Sequence, residues 1–168
     1  MYPYVLEAEG ISKQFPGVKA LDKVSIKIKP GSVHALMGEN GAGKSTLMKC
    51  LIGIYHPDEG SIKIKGRPVT FSDTLQALHS GISMIHQELN LVPYMTVAEN
   101  IWLGREPARL GFVNHEQLNE QTRELLARLN IKLQPDTLVG ELSIANQQMV
   151  EIAKAVSYNA DVLIMDEP

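Results

Sequence analysis

Eight residues, "GENGAGKS" from Gly38 to Ser45, fit the pattern G-x-x-x-x-G-K-[ST] at every fixed position. Glycines at those places let the backbone curl until its amide hydrogens point inward, and the lysine adds a mobile positive charge to the same hollow. A chain of phosphates is the ligand that such a hollow suits. In that chemistry Lys44 reaches the β- and γ-phosphates of a nucleotide and the Ser45 hydroxyl coordinates Mg2+. Gly38, Asn40, Gly41, Ala42, Gly43 and Thr46 supply the surrounding loop. The pattern alone does not separate ATPases from GTPases, kinases or helicases, and no guanine-reading Asn-Lys-x-Asp sequence occurs.

A second group lies at "VLIMDEP", Val162 to Pro168, where a short apolar run delivers Asp166 and Glu167. That is how a strand presents carboxylates to a metal-bound phosphate. Other residues are ambiguous when taken singly. Phe15 near the start fits a core position as well as a ligand contact. Ser143 in "LSIANQQ" fits an ordinary helix cap, and Gln87 alone carries no message. "HEQLN" at 115–119 begins like a zinc motif but has Asn119 in place of the second histidine, so it reads as a solvated helix start and no zinc is assigned.

The elements that must position these groups follow from periodicity. Val24, Ile26 and Ile28 alternate with Ser25, Lys27 and Lys29, which predicts a half-buried strand ended by Pro30-Gly31. "VHALM" at 33–37 predicts the strand that enters the glycine loop, and "KSTLMKCLIG" the helix that leaves it, closed by Gly53. "HPDEG" turns the chain into a strand from Ser61 to Lys65. Ser72 is placed to cap a short helix running to His79, with Gly81 past its end and "ISMI" as the next strand. "TVAENIWLG" reads as helical. Leu118, Leu125, Leu126 and Leu129 mark one face of a helix over 116–130, and Met149, Ile152, Ala153 and Val156 one face of another over 147–158. "VLIM" is then a final buried strand. Strands early, helices from about 95 to 158 and a last strand predict an α/β nucleotide-binding core with a helical insert.

Composition narrows the function classes. The chain has 168 residues, 44% of them hydrophobic and 21% charged, an ordinary globular balance for one domain. Its net charge of −3 arises from 19 acidic and 16 basic residues without a basic block, so neither a nucleic-acid footprint nor a polybasic membrane anchor is expected. The single cysteine, Cys50, has no internal disulfide partner and sits among apolar neighbours, which suits a reducing compartment. No run approaches the roughly 18 apolar residues that a spanning helix needs, and "MYPYVLEAEG" lacks the order of a signal peptide.

Taken together and in this order behind the phosphate loop, "MIHQELNLVPYMTVAEN", "ELSIANQQMVEIAKAV" and "VLIMDEP" closely resemble the ATPase domain of ATP-binding-cassette (ABC) transporters, over essentially the whole chain. The resemblance implies a P-loop NTPase core, about 1–90 and 159–168, with an N-terminal antiparallel β subdomain and a helical insert at about 91–158. It implies that Gln87 is the Q-loop glutamine, touching Mg2+ and the attacking water, and that Ser143 is the signature serine. Asp166 would hold the metal with Ser45 and Gln87, and Glu167 would be the general base, although a second metal ligand is the alternative for it. Phe15 and Val18 in "KQFPGVKAL" match the aromatic under the adenine ring and the apolar residue beside the sugar. The signature departs from the commonest Leu-Ser-Gly-Gly-Gln form, with Ile144, Ala145 and Asn146 instead.

That variant, with "GENGAGKSTLMK" and "HQELNL", looks like the form in importers of monosaccharides such as ribose, galactose and arabinose. The resemblance therefore implies a MgATP-hydrolysing subunit, peripheral to the cytoplasmic face of a bacterial inner membrane. Its partners would be a second ABC ATPase domain, in the same chain or a dimer mate, transmembrane permease subunits and, indirectly, a periplasmic sugar-binding protein, with no nucleic acid. A soluble non-transport ABC-type ATPase is the alternative. The chain is expected to be C-terminally truncated. In related ATPases a strand after the "DEP" lies between the phosphate-loop strand and the strand at 162–165. Without that strand and the switch histidine behind it, the 168 residues are expected to bind nucleotide without turning it over. Their last strand is then displaced, paired directly with the phosphate-loop strand, completed by a neighbour, or loosely packed.

Overall fold

The computed structural model describes residues 2–85, 88–109 and 111–166. The chain divides into two compact units, residues 1–83 with 160–164, and residues 84–159 with 165–168.

In the first unit, strands β1 (Leu6–Phe15) and β2 (Val18–Ile28) pair antiparallel around the turn Pro16-Gly17, where Gly17 takes the left-handed φ of 80° that a side chain would resist. Strands β3 (Glu59–Ile64) and β4 (Arg67–Val69) extend the sheet in the order β2-β1-β3-β4. Leu6 lies opposite Ile28 and Ile64, and Ala8 opposite Ile26 and Ile62. The alternation read from Val24 to Ile28 is present, with the apolar members half-buried and the lysines outside. Helix α1 (Lys44–Leu51) packs on β1 and β2 and buries Leu47, Met48, Cys50 and Leu51. Each such side chain removed from water stabilises the unit by about 1.5–3 kcal/mol. Burial also pushes the Cys50 thiol up from its ordinary pKa, so it stays protonated.

Gly53 ends α1 at φ 77°, and a Cβ there would meet the Phe71 Cβ at 2.7 Å, so the glycine is required both for the turn and for the space. Helix α2 (Thr74–His79) follows, but its cap is Asp73, not Ser72. The Asp73 carboxylate accepts the Gln76 amide at 2.8 Å, and the Ser72 hydroxyl instead donates to Asp73 at 3.0 Å. With the first helical residue at Thr74, only Asp73 stands one residue ahead of the free amides.

Strand β5 (Ile82–Ile85) pairs with β8 (Val162–Met165) as a separate two-stranded sheet. The Val162 amide donates to the Gly81 carbonyl at 3.0 Å and the Asp166 amide to that of Ile85 at 3.2 Å, so the two run parallel. Two sequence expectations fail here. "VHALM" at 33–37 forms no strand: Val33 is 102% and Met37 88% exposed, and among the described residues nothing pairs with it. "VLIM" is a strand but not a buried one, since only Val162 is buried and Met165 is 49% exposed. The physical reason is shared. A strand exists through its ladder, β8 has a ladder on one edge only, and 33–37 has none.

The second unit holds α3 (Val97–Ile101), the short hairpin β6 (Ala108–Arg109) and β7 (Phe112–Val113), α4 (His115–Arg128) and α5 (Ile144–Ser157). Its core is Val97, Ile101, Leu125, Leu126, Val139, Val150 and Ala153. A capping box of Thr96 and Glu99 starts α3, which stops at Trp102 after five residues, shorter than "TVAENIWLG" suggests. Asn100 is wholly buried and stitches the preceding loop. Its Nδ2 donates to the carbonyls of Val92, Met95 and Thr96, and its Oδ1 accepts the Val92 amide at 2.8 Å. On α4 the expected face is present at Leu118, Leu125 and Leu126. On α5 the buried face is Val150, Ala153, Ala155 and Ser157, whereas Met149 is 38% exposed and Ile152 half-buried. The helix begins at Ile144 rather than Gln147. No helix among the described residues is long and apolar enough to cross a membrane.

Candidate functional site

The glycine loop leads directly into α1. Gly43 is the N-cap at φ 88°, with no side-chain cap, and the first intrahelical bond is Leu47 amide to Gly43 carbonyl at 2.9 Å. The amides of Lys44, Ser45 and Thr46 therefore stand outside the helical ladder, at the end where the helix dipole is positive. Lys44 folds back across the loop, its Nζ donating to the carbonyls of Gly38 at 2.7 Å and Glu39 at 3.0 Å. An ammonium has three protons, so this arrangement holds the charge over the loop and leaves one donor for an anion. Lys44 makes no ion pair among the described residues, so no carboxylate neutralises it. Ser45 is exposed and Thr46 half-buried. A Cβ on Gly38 would lie 3.2 Å from that of Ala42, a tight contact that a small shift of Ala42 would relieve, whereas Gly41, at φ 83°, faces open space. Asn40 and Ala42 are exposed in the same loop, where the Ala42 amide donates to Glu39 at 3.1 Å.

Phe15 and Val18 are register partners at the tip of the β1–β2 hairpin. Cross-strand partners share a face, so the two present one apolar surface. Val18 is 61% exposed, and Phe15 is half-buried with its ring edge-on to Tyr55, centroids 5.1 Å apart. Phe15 is therefore not a core residue. Two contributors were not visible in the sequence. Tyr55 and Asp58 lie in "YHPDEG", which reads only as a turn, yet Tyr55 backs Phe15 and Asp58 bonds to Lys13 and Gln14 beside it.

In the other unit Ser143 caps α5, its hydroxyl accepting the Asn146 amide at 3.4 Å, and Ile144 next to it is 70% exposed. Asp166 follows β8 and is half-buried. Gln87 and Glu167 lie outside the described residues.

The ABC transporter family model matches residues 21–168. The chain belongs to the ABC transporter family. An Agrobacterium fabrum protein named for ATP binding in ribose/galactose/methyl galactoside import is 65% identical over 166 residues, which are 98% of this chain and 32% of that protein. A Pseudomonas fluorescens protein of the same name is 63% identical over 99% of this chain and 32% of its own length. This ABC chain thus spans about a third of the curated relatives it matches. Among solved structures, the ADP conformation of MJ1267, an ATP-binding cassette of an ABC transporter, superposes with a TM-score of 0.83 at 32% identity, covering 98% of this chain and 69% of that one. The cbiO1 protein of Clostridium perfringens, part of an ABC transporter complex, gives 0.83 at 28% identity over 99% of this chain and 66% of its own. The α/β architecture with an antiparallel N-terminal sheet is the fold of these ATPases.

Proposed function

We propose that this ABC domain binds MgATP at Gly38 to Thr46 and, within the longer protein, hydrolyses it to power import of a monosaccharide. The observation that carries the binding step is the loop itself, with Lys44 held across it by two carbonyls and three helix amides outside the ladder. The Lys44 ammonium and the amides of Lys44, Ser45 and Thr46, outside the helical ladder, hold the phosphates. Phe15 and Val18 receive the adenine face and the sugar edge, and Ser143 of one domain serves the nucleotide of a second domain. Ser45, Gln87 and Asp166 form an oxygen-only donor set, which suits Mg2+. Bound there, Mg2+ would neutralise charge on the phosphate oxygens. Glu167 takes a proton from the attacking water, which Gln87 orients.

Residues of about 91–158 act as the helical insert, answering to transmembrane permease subunits, with a periplasmic sugar-binding protein upstream. That sets the working place at the cytoplasmic face of a bacterial inner membrane. The names of the relatives support the sugar-import reading over a soluble non-transport ATPase.

In the binding test, Lys44→Ala should lose most MgATP affinity in calorimetry while its circular-dichroism spectrum stays native. Unchanged affinity would sink the assignment. The 168 residues alone are expected to bind without turnover. Steady phosphate release that Glu167→Gln abolishes would overturn that part.

A further inference from the structure

β1 loses its β3 partner before it ends. Its pairing with β3 stops at Ser12 opposite Glu59, after a register shift, and Lys13, Gln14 and Phe15 run on without it. On that side one residue takes the place of the missing ladder. The Asp58 amide donates to the Ser12 carbonyl at 2.9 Å, its Oδ1 accepts Lys13 Nζ at 2.7 Å, and its Oδ2 accepts the Gln14 amide at 2.7 Å. Three consecutive residues of β1, the three just before Phe15, are thus tied to a single aspartate. Lys13 is turned so that its ammonium also lies 5.7 Å from the Phe15 ring centroid.

We infer that Asp58 is a positioning residue for nucleotide-base recognition, holding the end of β1 so that Phe15 and Val18 present their shared apolar face. The inference rests on the reading of Phe15 as the base-stacking aromatic. Asp58 itself touches no ligand; it acts through strand position. A carboxylate accepting a backbone amide and an ammonium at once resists the fraying to which an unpaired strand end is prone, and its bonds are of the stronger, charge-assisted kind. Both its neighbours favour the ionised carboxylate, the Lys13 ammonium first and then the Gln14 amide, which keeps the bonds in place at neutral pH. Tyr55 packs edge-on against the ring, centroids 5.1 Å apart. Its amide donates to the Lys49 carbonyl of α1 at 3.1 Å, so the base end and the phosphate end share one helix.

A purely structural role would disturb every ligand alike, whereas a positioning role disturbs only ligands that have a base. The experiment is a double-mutant cycle in the 168-residue chain: wild type, Asp58→Ala, Phe15→Ala and the pair. Each is titrated calorimetrically with MgATP and with Mg-tripolyphosphate. Asp58→Ala is expected to weaken MgATP about five- to tenfold, the scale of one to two lost hydrogen bonds, and to leave tripolyphosphate within about twofold. In the Phe15→Ala background the same change should cost MgATP nothing further. Asp58→Asn keeps an acceptor for the Gln14 amide, folds as the isosteric control and should lie between. Equal losses for both ligands, or a full Asp58 loss persisting without Phe15, would overturn the inference. If Phe15→Ala leaves MgATP affinity untouched, the base reading itself is wrong and the inference falls with it. If Phe15→Ala weakens MgATP and Asp58→Ala does not, only the positioning role is lost.

Discussion

Replacing Gly43 by alanine tests the phosphate loop at its tightest point. Gly43 has φ 88°, and a Cβ built there would lie 2.5 Å from the Ala20 carbonyl oxygen and 3.0 Å from the Leu21 side chain. Ala20 and Leu21 belong to β2; Ala20 is the extra residue at a register shift, held between Lys19 and Leu21, which pair with Gln14 and Lys13 of β1, so its carbonyl can retreat only by disturbing paired neighbours on both sides. The left-handed conformation costs a residue with a Cβ about 1–2 kcal/mol, and forcing a methyl into filled space about 1–3 more. The loop should therefore relax elsewhere, and rebuilding it around phosphate would cost about 2–5 kcal/mol. Even the lower bound is about thirtyfold in MgATP affinity. Gly41 is the control. It has a similar φ of 83° but nothing within 4 Å of a Cβ, so Gly41→Ala should carry the conformational strain alone, about tenfold. The assay is MgATP calorimetry on both variants with urea unfolding alongside. Equal losses, or a Gly43→Ala variant with wild-type affinity, would refute the steric argument.

Asn100→Ala should lower stability by about 3–5 kcal/mol, because it orphans the Val92 amide and removes the Nδ2 donor shared by three backbone carbonyls, and the urea midpoint reads this directly. Thr96→Ala removes the α3 capping box and should cost about 1 kcal/mol in the same measurement. Acid should lower the stability of the first unit through its paired carboxylates. Glu9 beside Lys27 and Lys63, Asp58 beside Lys13 and the Gln14 amide, and Asp73 on the Gln76 amide are all held below their ordinary values. Their folded pKa values lie below the unfolded ones, so this stability is whole above the usual carboxylate range and drains as pH falls through the lowered values. Urea midpoints measured from pH 7 to pH 3 should fall, and Asp58→Asn should flatten the acid end; a slope unchanged by that substitution would count against the Asp58 contribution.

What was legible in the sequence was local. The phosphate loop is contiguous, and its glycines announce their own backbone; Gly53 and Gly81 sit where helix ends need them, at φ 77° and 93°. The β2 alternation survives because Val24, Ile26 and Ile28 lie opposite the buried Ile11, Ala8 and Leu6 of β1. What failed depended on a partner distant in sequence. Val33 to Met37 has strand composition, yet no described residue offers it a ladder. The stripe expected on α5 holds at Ala153 and Val156, which pack on the core, but not at Met149, whose place is taken by the wholly buried Val150, since α3 and α4 decide which face is covered. Asp73 took the cap from Ser72 because a helix start is set to within a residue only by the finished turn. Asn100 and Asp58 were unreadable for the same reason: each is an ordinary polar residue until the chain brings backbone groups around it.

The open stretch from Val33 to Met37 bears on how these molecules behave toward one another in concentrated solution. Five residues, four of them apolar and none with a ladder partner among the described residues, are a template on which a second molecule's chain can be laid down. Lys29 and Pro30 on one side and Glu39 on the other punctuate it, charge and a missing donor being what interrupts such stacking. The stretch ends at the doorstep of the phosphate loop, so a ligand seated in that loop would occupy the ground beside it and compete with such pairing.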